Sequence, residues 1–132
     1  MTAALRQWLA NYPETKLVLI GFSGGGVLAT LILPELPQAQ ALVTVAANLD
    51  VSTWSEIHGY LPLSDSLNPM DQPKLRPNVH QLHLAGSDDN NVPPALIKAF
   101  ADKQDGARYV EYHQQHHCCW ETIWPEPLRF ID

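Results

Sequence analysis

Apolar positions along this chain form two patterns, one recurring at helical spacing and one of short unbroken runs. Residues 2–11 (TAALRQWLAN) put Leu5, Trp8 and Leu9 on one helical face, and Tyr12-Pro13 closes that segment. Lys16–Gly21 is apolar after its first residue and too short for a helix. It reads as a strand buried on both faces of a parallel sheet. Val27–Leu33 is apolar nearly all round and stops at Pro34, which predicts a buried helix over Gly24–Leu33. Ala41–Ala47 (ALVTVAA) and Val79–Ala85 (VHQLHLA) repeat the buried-strand pattern. Pro94–Lys103 returns to helical spacing, with Leu96, Ile97 and Phe100 on one face and Pro93 and Pro94 suited to its start. Arg108–His113 (RYVEYH) predicts a fourth strand, and Trp120–Trp124 a last short helix.

Strands and helices therefore alternate. That order predicts an α/β fold, with a parallel sheet of about four strands, flanking helices and a single domain over residues 1–132. The alternation breaks at residues 51–78, which contain Pro62, Pro69, Pro73 and Pro77. Thr53-Trp54-Ser55-Glu56 has capping-box spacing and Gly59 is suited to end a short helix there. The rest of the stretch reads as irregular. An irregular insertion of that length in a compact domain is expected to act as a lid or binding loop.

Composition narrows the function classes. Hydrophobic residues make up 45% and charged residues 17%, as in a folded globular chain. Eight Lys and Arg stand against 14 Asp and Glu, for a net charge of −6. No basic cluster supplies the cationic surface that nucleic acid or an anionic membrane needs. No run is long and apolar enough for a membrane span, and MTAALRQWLANYP lacks the basic start and apolar block of a signal peptide. The default compartment is the cytoplasm. Cys118 and Cys119 are adjacent, so a disulfide between them is not expected. With His116 and His117 they are spaced too tightly for a usual zinc site, so neither a metal nor another cofactor is expected.

The candidate chemistry begins at residues 17–26, LVLIGFSGGG, which hold four of the chain's seven glycines. Gly21-Phe22-Ser23-Gly24-Gly25 matches G-x-S-x-G between a predicted strand and a predicted helix, the context of a nucleophile elbow. A serine projecting from so tight a turn needs small neighbours two before and two after it. The helix that follows presents free backbone N–H groups, so the amide of Gly24 is a candidate oxyanion donor. The alternative, a phosphate-binding loop, lacks both the G-x-G-x-x-G pattern and the P-loop lysine.

A nucleophilic serine needs a base and a group to orient it. The third strand runs into Gly86-Ser87-Asp88-Asp89-Asn90-Asn91-Val92-Pro93, and the fourth into Gln114-Gln115-His116-His117-Cys118-Cys119-Trp120. Both loops leave the carboxyl edge of the sheet, where the elbow also lies. On position alone, Asp89, Asp88 and Asp50 all qualify as the acid, and His116, His117 and His113 as the base. His80 and His83 alternate along a strand and read as structural.

These motifs resemble those of the α/β-hydrolase superfamily. G-S-D-D-N-N-V-P is similar to its acid loop G-x-x-D-x-x-V-P, which points to Asp89. H-H-C-C-W resembles an H-x-C-C-W loop of small bacterial members, which points to His116; NLDVSTWSEIHGYLPLSDSLNP resembles the same proteins. The resemblance runs from Leu5 to Trp124. It implies a serine hydrolase that cleaves an ester, thioester or small amide through an acyl-enzyme, with Ser23, Asp89 and His116 as its triad. The substrate is then a small acyl compound, and Trp54, His58 and Tyr60 of the insertion are candidate contacts to it.

The superfamily's domain is longer than this chain and starts with strands that the chain lacks, so the resemblance is to the C-terminal portion of that fold. Two expectations follow: a second oxyanion donor is missing, and the elbow strand becomes an unpaired edge open to self-association. The alternative function is accordingly a catalytically impaired fragment, or an interaction module that needs the missing strands.

Overall fold

The computed structural model describes residues 1–131. Eight main elements follow in order: α1 (Thr2–Leu9), β1 (Leu17–Phe22), α2 (Gly24–Ile32), β2 (Ala39–Val45), α3 (Val51–His58), β3 (His80–Gly86), α4 (Pro94–Lys103) and β4 (Arg108–Tyr112). The four strands form one parallel sheet in the order β1-β2-β3-β4. The α/β architecture and the strand count are those the sequence predicts. Short 3₁₀ turns at Leu33–Glu35, Pro69–Asp71 and Glu126–Phe130 had no sequence reading, and the expected helix at Trp120–Trp124 is a 3₁₀ turn over Trp120–Thr122.

The two faces of the sheet are covered differently. On one face, Leu9 of α1, Ala29 of α2 and Leu33 of the turn that follows it pack against Leu17, Leu19 and Leu42. Further along, α4 packs Ile97 and Phe100 beside Ala85. On the other face, Trp120, Ile123, Trp124 and Phe130 of the C-terminal segment cover Val43, Val45, Leu82 and Leu84.

That cover stops short of β1. Val18, Ile20 and Phe22 share the outer face and are 43%, 49% and 43% exposed. The expectation that this strand is buried on both faces is therefore corrected. An apolar run reports what a strand is suited to lie against, and here only one face has a neighbour. β1 is also the edge of the sheet, paired only with β2 among the described residues.

The start of α2 packs closely on the end of β1. A Cβ on Gly21 meets the backbone of Gly25 and Gly26, and a Cβ on Gly26 meets the Ala47 side chain and the Gly21 carbonyl. Gly24 and Gly25 face open space. The crowding around the serine is thus relieved at Gly21 and Gly26, and not by the side of Gly25 as the sequence spacing suggested. We expect Gly26→Ala to lower stability by about 2 kcal/mol, the usual scale of overpacking. Gly25→Ala is expected to leave the melting temperature close to that of the parent. Thermal unfolding of the two variants checks the contrast.

The insertion is better ordered than its prolines imply. α3 begins two residues before Thr53, and its N-cap is Asp50, whose Oδ1 accepts the Thr53 amide at 3.3 Å. The predicted capping box at Thr53 is corrected: Thr53 Oγ1 donates to Asp50 Oδ2 at 2.7 Å instead of capping the helix itself. Gly59 ends α3 in the left-handed conformation. Asn68 ties the returning chain to the start of α3. Its Oδ1 accepts from the Val51 amide at 3.0 Å and its Nδ2 donates to Asp50 Oδ1 at 3.1 Å. At the end of the insertion, the Arg76 guanidinium donates to the carbonyls of Leu33, Leu36 and Ala39 at 3.3, 2.8 and 2.7 Å. Two of these carbonyls also accept backbone amides, Leu33 from Leu36 and Leu36 from Ala39, both at 3.0 Å, so the guanidinium adds a second donor to the turns between α2 and β2.

Candidate active site

Ser23 sits at the N-cap of α2 with φ 50° and ψ −120°. A non-glycine residue is held in that region only when its surroundings impose it. Here the Ser23 amide donates to the Val45 carbonyl at 2.8 Å, and its carbonyl accepts the Gly26 amide at 3.0 Å. The turn lifts Oγ away from the backbone. The amide of Gly24 begins α2, where a helix leaves its N–H groups without intrahelical acceptors.

β3 and β4 deliver the other two groups. Gly86 closes β3 opposite Tyr112, and a Cβ there meets the Gln114 carbonyl. Its absence lets the two loops run side by side: the Ser87 amide donates to the Tyr112 carbonyl at 2.8 Å and the Asp88 amide to the Gln114 carbonyl at 3.1 Å. Asp89 then turns back on itself. Its Oδ1 accepts the amides of Asn91 and Val92 at 2.9 and 2.8 Å. This fixes the carboxylate and leaves Oδ2 to His116.

His116 Nδ1 lies 2.7 Å from Asp89 Oδ2, and His116 Nε2 lies 3.0 Å from Ser23 Oγ. Both Asp89 and His116 are buried, at 4% and 5% exposure. The carboxylate only accepts, so Nδ1 carries the proton and donates it. A neutral imidazole then has a lone pair at Nε2, and the Ser23 hydroxyl donates to it. The histidine loop is fastened from behind by the Trp120 indole, which donates to the His116 carbonyl at 3.1 Å.

The other candidate acids and bases have different partners. Asp50 caps α3. Asp88 faces His113 at 3.2 Å on the surface, where the two side chains are 48% and 88% exposed. His117 is exposed and stands edge-on to the His116 ring, 4.7 Å between centroids. His80 is exposed on β3, and His83 is fully buried in the sheet.

A hollow of about 570 Å³ opens beside Ser23. One helical face of α2 (Gly24, Val27, Leu28, Leu31) forms one wall; Val51 and Trp54 of α3 with Leu63 and Leu67 of the insertion form the other. Trp54 therefore lines the hollow, as do two leucines of the insertion. His58 and Tyr60 do not line it. Trp54 Nε1 and His58 Nε2 both reach the Asn91 carbonyl, at 2.9 and 2.6 Å, and Tyr60 stacks on His58 at 5.4 Å. This cluster ties α3 to the acid loop two residues after Asp89. Sequence reasoning did not single out Leu28, Leu31, Leu67 or Asn48 for this hollow, because strand and helix periodicity does not tell which apolar side chains stay uncovered.

The side chains of the adjacent Cys118 and Cys119 lie next to each other in the loop that follows His116. Cys119 has φ 140°. Among the described residues no group of three His, Cys, Asp or Glu side chains is placed to hold a metal, and no helix is long and apolar enough to cross a membrane.

No curated protein matches the sequence. Similar solved structures include a predicted CIB-like hydrolase of Thermoplasma acidophilum (23% identity, TM-score 0.60), an alpha-beta serine hydrolase homologue of Coxiella burnetii (17%, 0.67) and an esterase of Pyrococcus furiosus (18%, 0.67). Each match covers 98% of this chain and 54%, 54% and 55% of the respective neighbour. The chain thus has the fold of α/β hydrolases and spans little more than half their length. The family model for serine hydrolase (FSH1) matches residues 3–119, from α1 through the histidine loop. The chain belongs to the FSH1 serine hydrolase family.

Proposed function

We infer that this chain carries the catalytic residues of a hydrolase that cleaves an ester, thioester or small amide through an acyl-enzyme on Ser23. The observation that carries the reading is the continuous relay Ser23–His116–Asp89, with its 3.0 and 2.7 Å hydrogen bonds. Ser23 Oγ attacks the acyl carbon as its proton passes to His116 Nε2. The Gly24 amide donates to the oxygen that becomes negative. As the tetrahedral species collapses, the bond to the leaving group breaks and His116 returns the proton to it. Water, deprotonated by the same nitrogen, then attacks the acyl-serine, and Ser23 recovers its proton. Asp89 holds the tautomer and stabilises the imidazolium that forms in each half.

The mostly apolar lining of the hollow supports an acyl or alkyl group as the part of the substrate bound there. The test is labelling with a fluorophosphonate, followed by peptide mass spectrometry. The expected result is one modified residue, Ser23, and no adduct on Ser23→Ala. Labelling that persists in that variant overturns the reading.

A second reading, self-association through β1, rests on the unpaired edge of β1 and the exposed trio Val18, Ile20 and Phe22. Exposed apolar edges are suited to pair with another chain. Light scattering after size exclusion is expected to give a mass above the 14.7 kDa monomer, and Ile20→Lys is expected to shift it toward the monomer. A monomer in both cases removes this reading.

A further inference from the structure

We propose that Asn48 is a specificity-determining residue, taking a hydrogen-bonding substituent (a hydroxyl or an amide) carried close to the reacting carbonyl of an otherwise apolar acyl chain. The inference rests on the hydrolase reading of Ser23 and names a substrate class for it.

Three observations converge on this residue. First, Asn48 is one of two carboxamides, with Asn91, on the wall of the hollow that begins at Ser23, a wall otherwise dominated by Val27, Leu28, Leu31 and Leu67. Second, its Oδ1 is closed off from solvent without any hydrogen-bond partner. A buried polar atom left so costs about 1–3 kcal/mol, and native structures leave few of them. A carboxamide turns about its last torsion between two opposite settings, which exchange the end toward the hollow with the end in the closed position. One wall residue thus matches a hydroxyl, which both donates and accepts. Third, the backbone that presents it is held in an unfavourable conformation. Ala46, two residues earlier, has φ 49°, and its amide is fixed to the Leu84 carbonyl at 2.9 Å. Strain of this kind in a non-glycine residue persists where the surroundings over-determine it, often at ligand sites.

The sheet sets how far from the carbonyl the polar group lies. Phe22 and Val45 are register partners on neighbouring strands. Ser23 follows the first directly, and Asn48 follows the second by three residues. Parallel strands are about 4.8 Å apart, so the two side chains enter the hollow from adjacent strand ends. A polar group met by Asn48 therefore belongs on the first carbons after the carbonyl, and the apolar tail extends along α2 past Leu28 and Leu31.

The experiment compares p-nitrophenyl hexanoate with its 2-hydroxy and 3-hydroxy analogues on the full chain, in the parent and in Asn48→Leu, whose side chain has nearly the same shape without hydrogen-bonding atoms. The readout is the ratio of kcat/KM for hydroxylated over plain ester, in which a general loss of activity cancels. At least one hydroxylated ester is expected to be preferred by about tenfold in the parent, the scale of one well-made hydrogen bond in a closed site, and the preference is expected to vanish in the variant. Asn48→Ala replaces the leucine variant if the latter does not fold. No preference in the parent, or a preference that survives both substitutions, overturns the proposal. If no ester is turned over and the fluorophosphonate leaves Ser23 unmodified, the hydrolase reading fails by itself. Ligand-observed NMR with hexanoate and the two hydroxyhexanoates then reads the same ratio as affinities, and equal affinities overturn the role of Asn48.

Discussion

Replacing Ser23 by alanine is expected to lower ester turnover by about 10⁴–10⁶-fold, the scale on which hydrolases lose activity with their nucleophile. The same substitution removes one small hydroxyl from a half-exposed turn, so the melting temperature is expected to change little. Asp89→Asn is expected to cost about 10⁴-fold by a different route. The amide has a donor where the carboxylate has only acceptors, and the bond to His116 Nδ1, 2.7 Å long here, then favours the tautomer with its proton on Nε2. Ser23 loses its acceptor although Ser23 and His116 are both still present. Groups that act as one unit are not additive, so Ser23→Ala combined with His116→Ala is expected to be no slower than Ser23→Ala alone. Steady-state hydrolysis of p-nitrophenyl esters measures all three variants. Independent, multiplying losses would mean that the relay is not the catalytic unit.

The second large effect concerns stability, and it comes from a histidine outside the hollow. His83 is fully buried in β3, opposite Thr44 of β2 and edge-on to the Phe100 ring at 5.3 Å. Its Nε2–H donates to Gln81 Oε1 at 3.2 Å, and its Nδ1 accepts the Thr44 hydroxyl at 2.8 Å. Burial pushes its pKa down from 6.5 to about 3, because the charged form has no water around it. The folded state thus binds fewer protons than the unfolded state between those values. The stability contributed by neutral His83 is complete above pH 6.5 and is lost as the pH falls toward 3.

Each pH unit in that window costs about 1.4 kcal/mol, so at pH 4 the loss is about 3 kcal/mol out of a typical 5–15 kcal/mol for a domain. A fall in melting temperature of about 10 °C between pH 7 and pH 4 is expected on that basis. His83→Leu is expected to melt lower at pH 7, since Thr44 and Gln81 lose their partner, but to show a flatter dependence on pH. Parallel slopes for parent and variant would assign the acid sensitivity to other groups.

Much of the fold was legible because its elements carry local signatures. Helix α4 shows prolines at its start and one apolar face, and its observed bounds, Pro94–Lys103, are those the sequence predicts. Strands β2 and β3 are short and rich in apolar residues, and most of their buried positions follow from that, although Thr44, Gln81 and His83 are buried with them. β1 has the same kind of sequence and a different environment, since apolar character does not record whether a neighbour is there. The cap of α3 was misplaced because Asp50 and Thr53 both suit a cap, and Asn68, eighteen residues after Asp50, supports the first of them.

For the site, the sequence by itself determined the serine turn, through glycines at spacings that a tight strand-to-helix turn requires. It also determined that an acid loop and a histidine loop leave the same edge of the sheet, because parallel strands separated by helices all end there. It left three acids and three histidines open. Only the tertiary structure decided which of them meet. The close approach of the two loops at Gly86, and the amides of Asn91 and Val92 on Asp89, turn one carboxylate toward His116. The hollow is likewise a product of packing. Its walls come from α2, α3 and a proline-rich insertion, which are apart in the sequence and meet in the fold, and the unpartnered Oδ1 of Asn48 becomes a feature only there. Distance along the chain governs the local turns; the pairing of groups 93 and 27 residues apart is governed by strand register and side-chain burial, which no local pattern encodes.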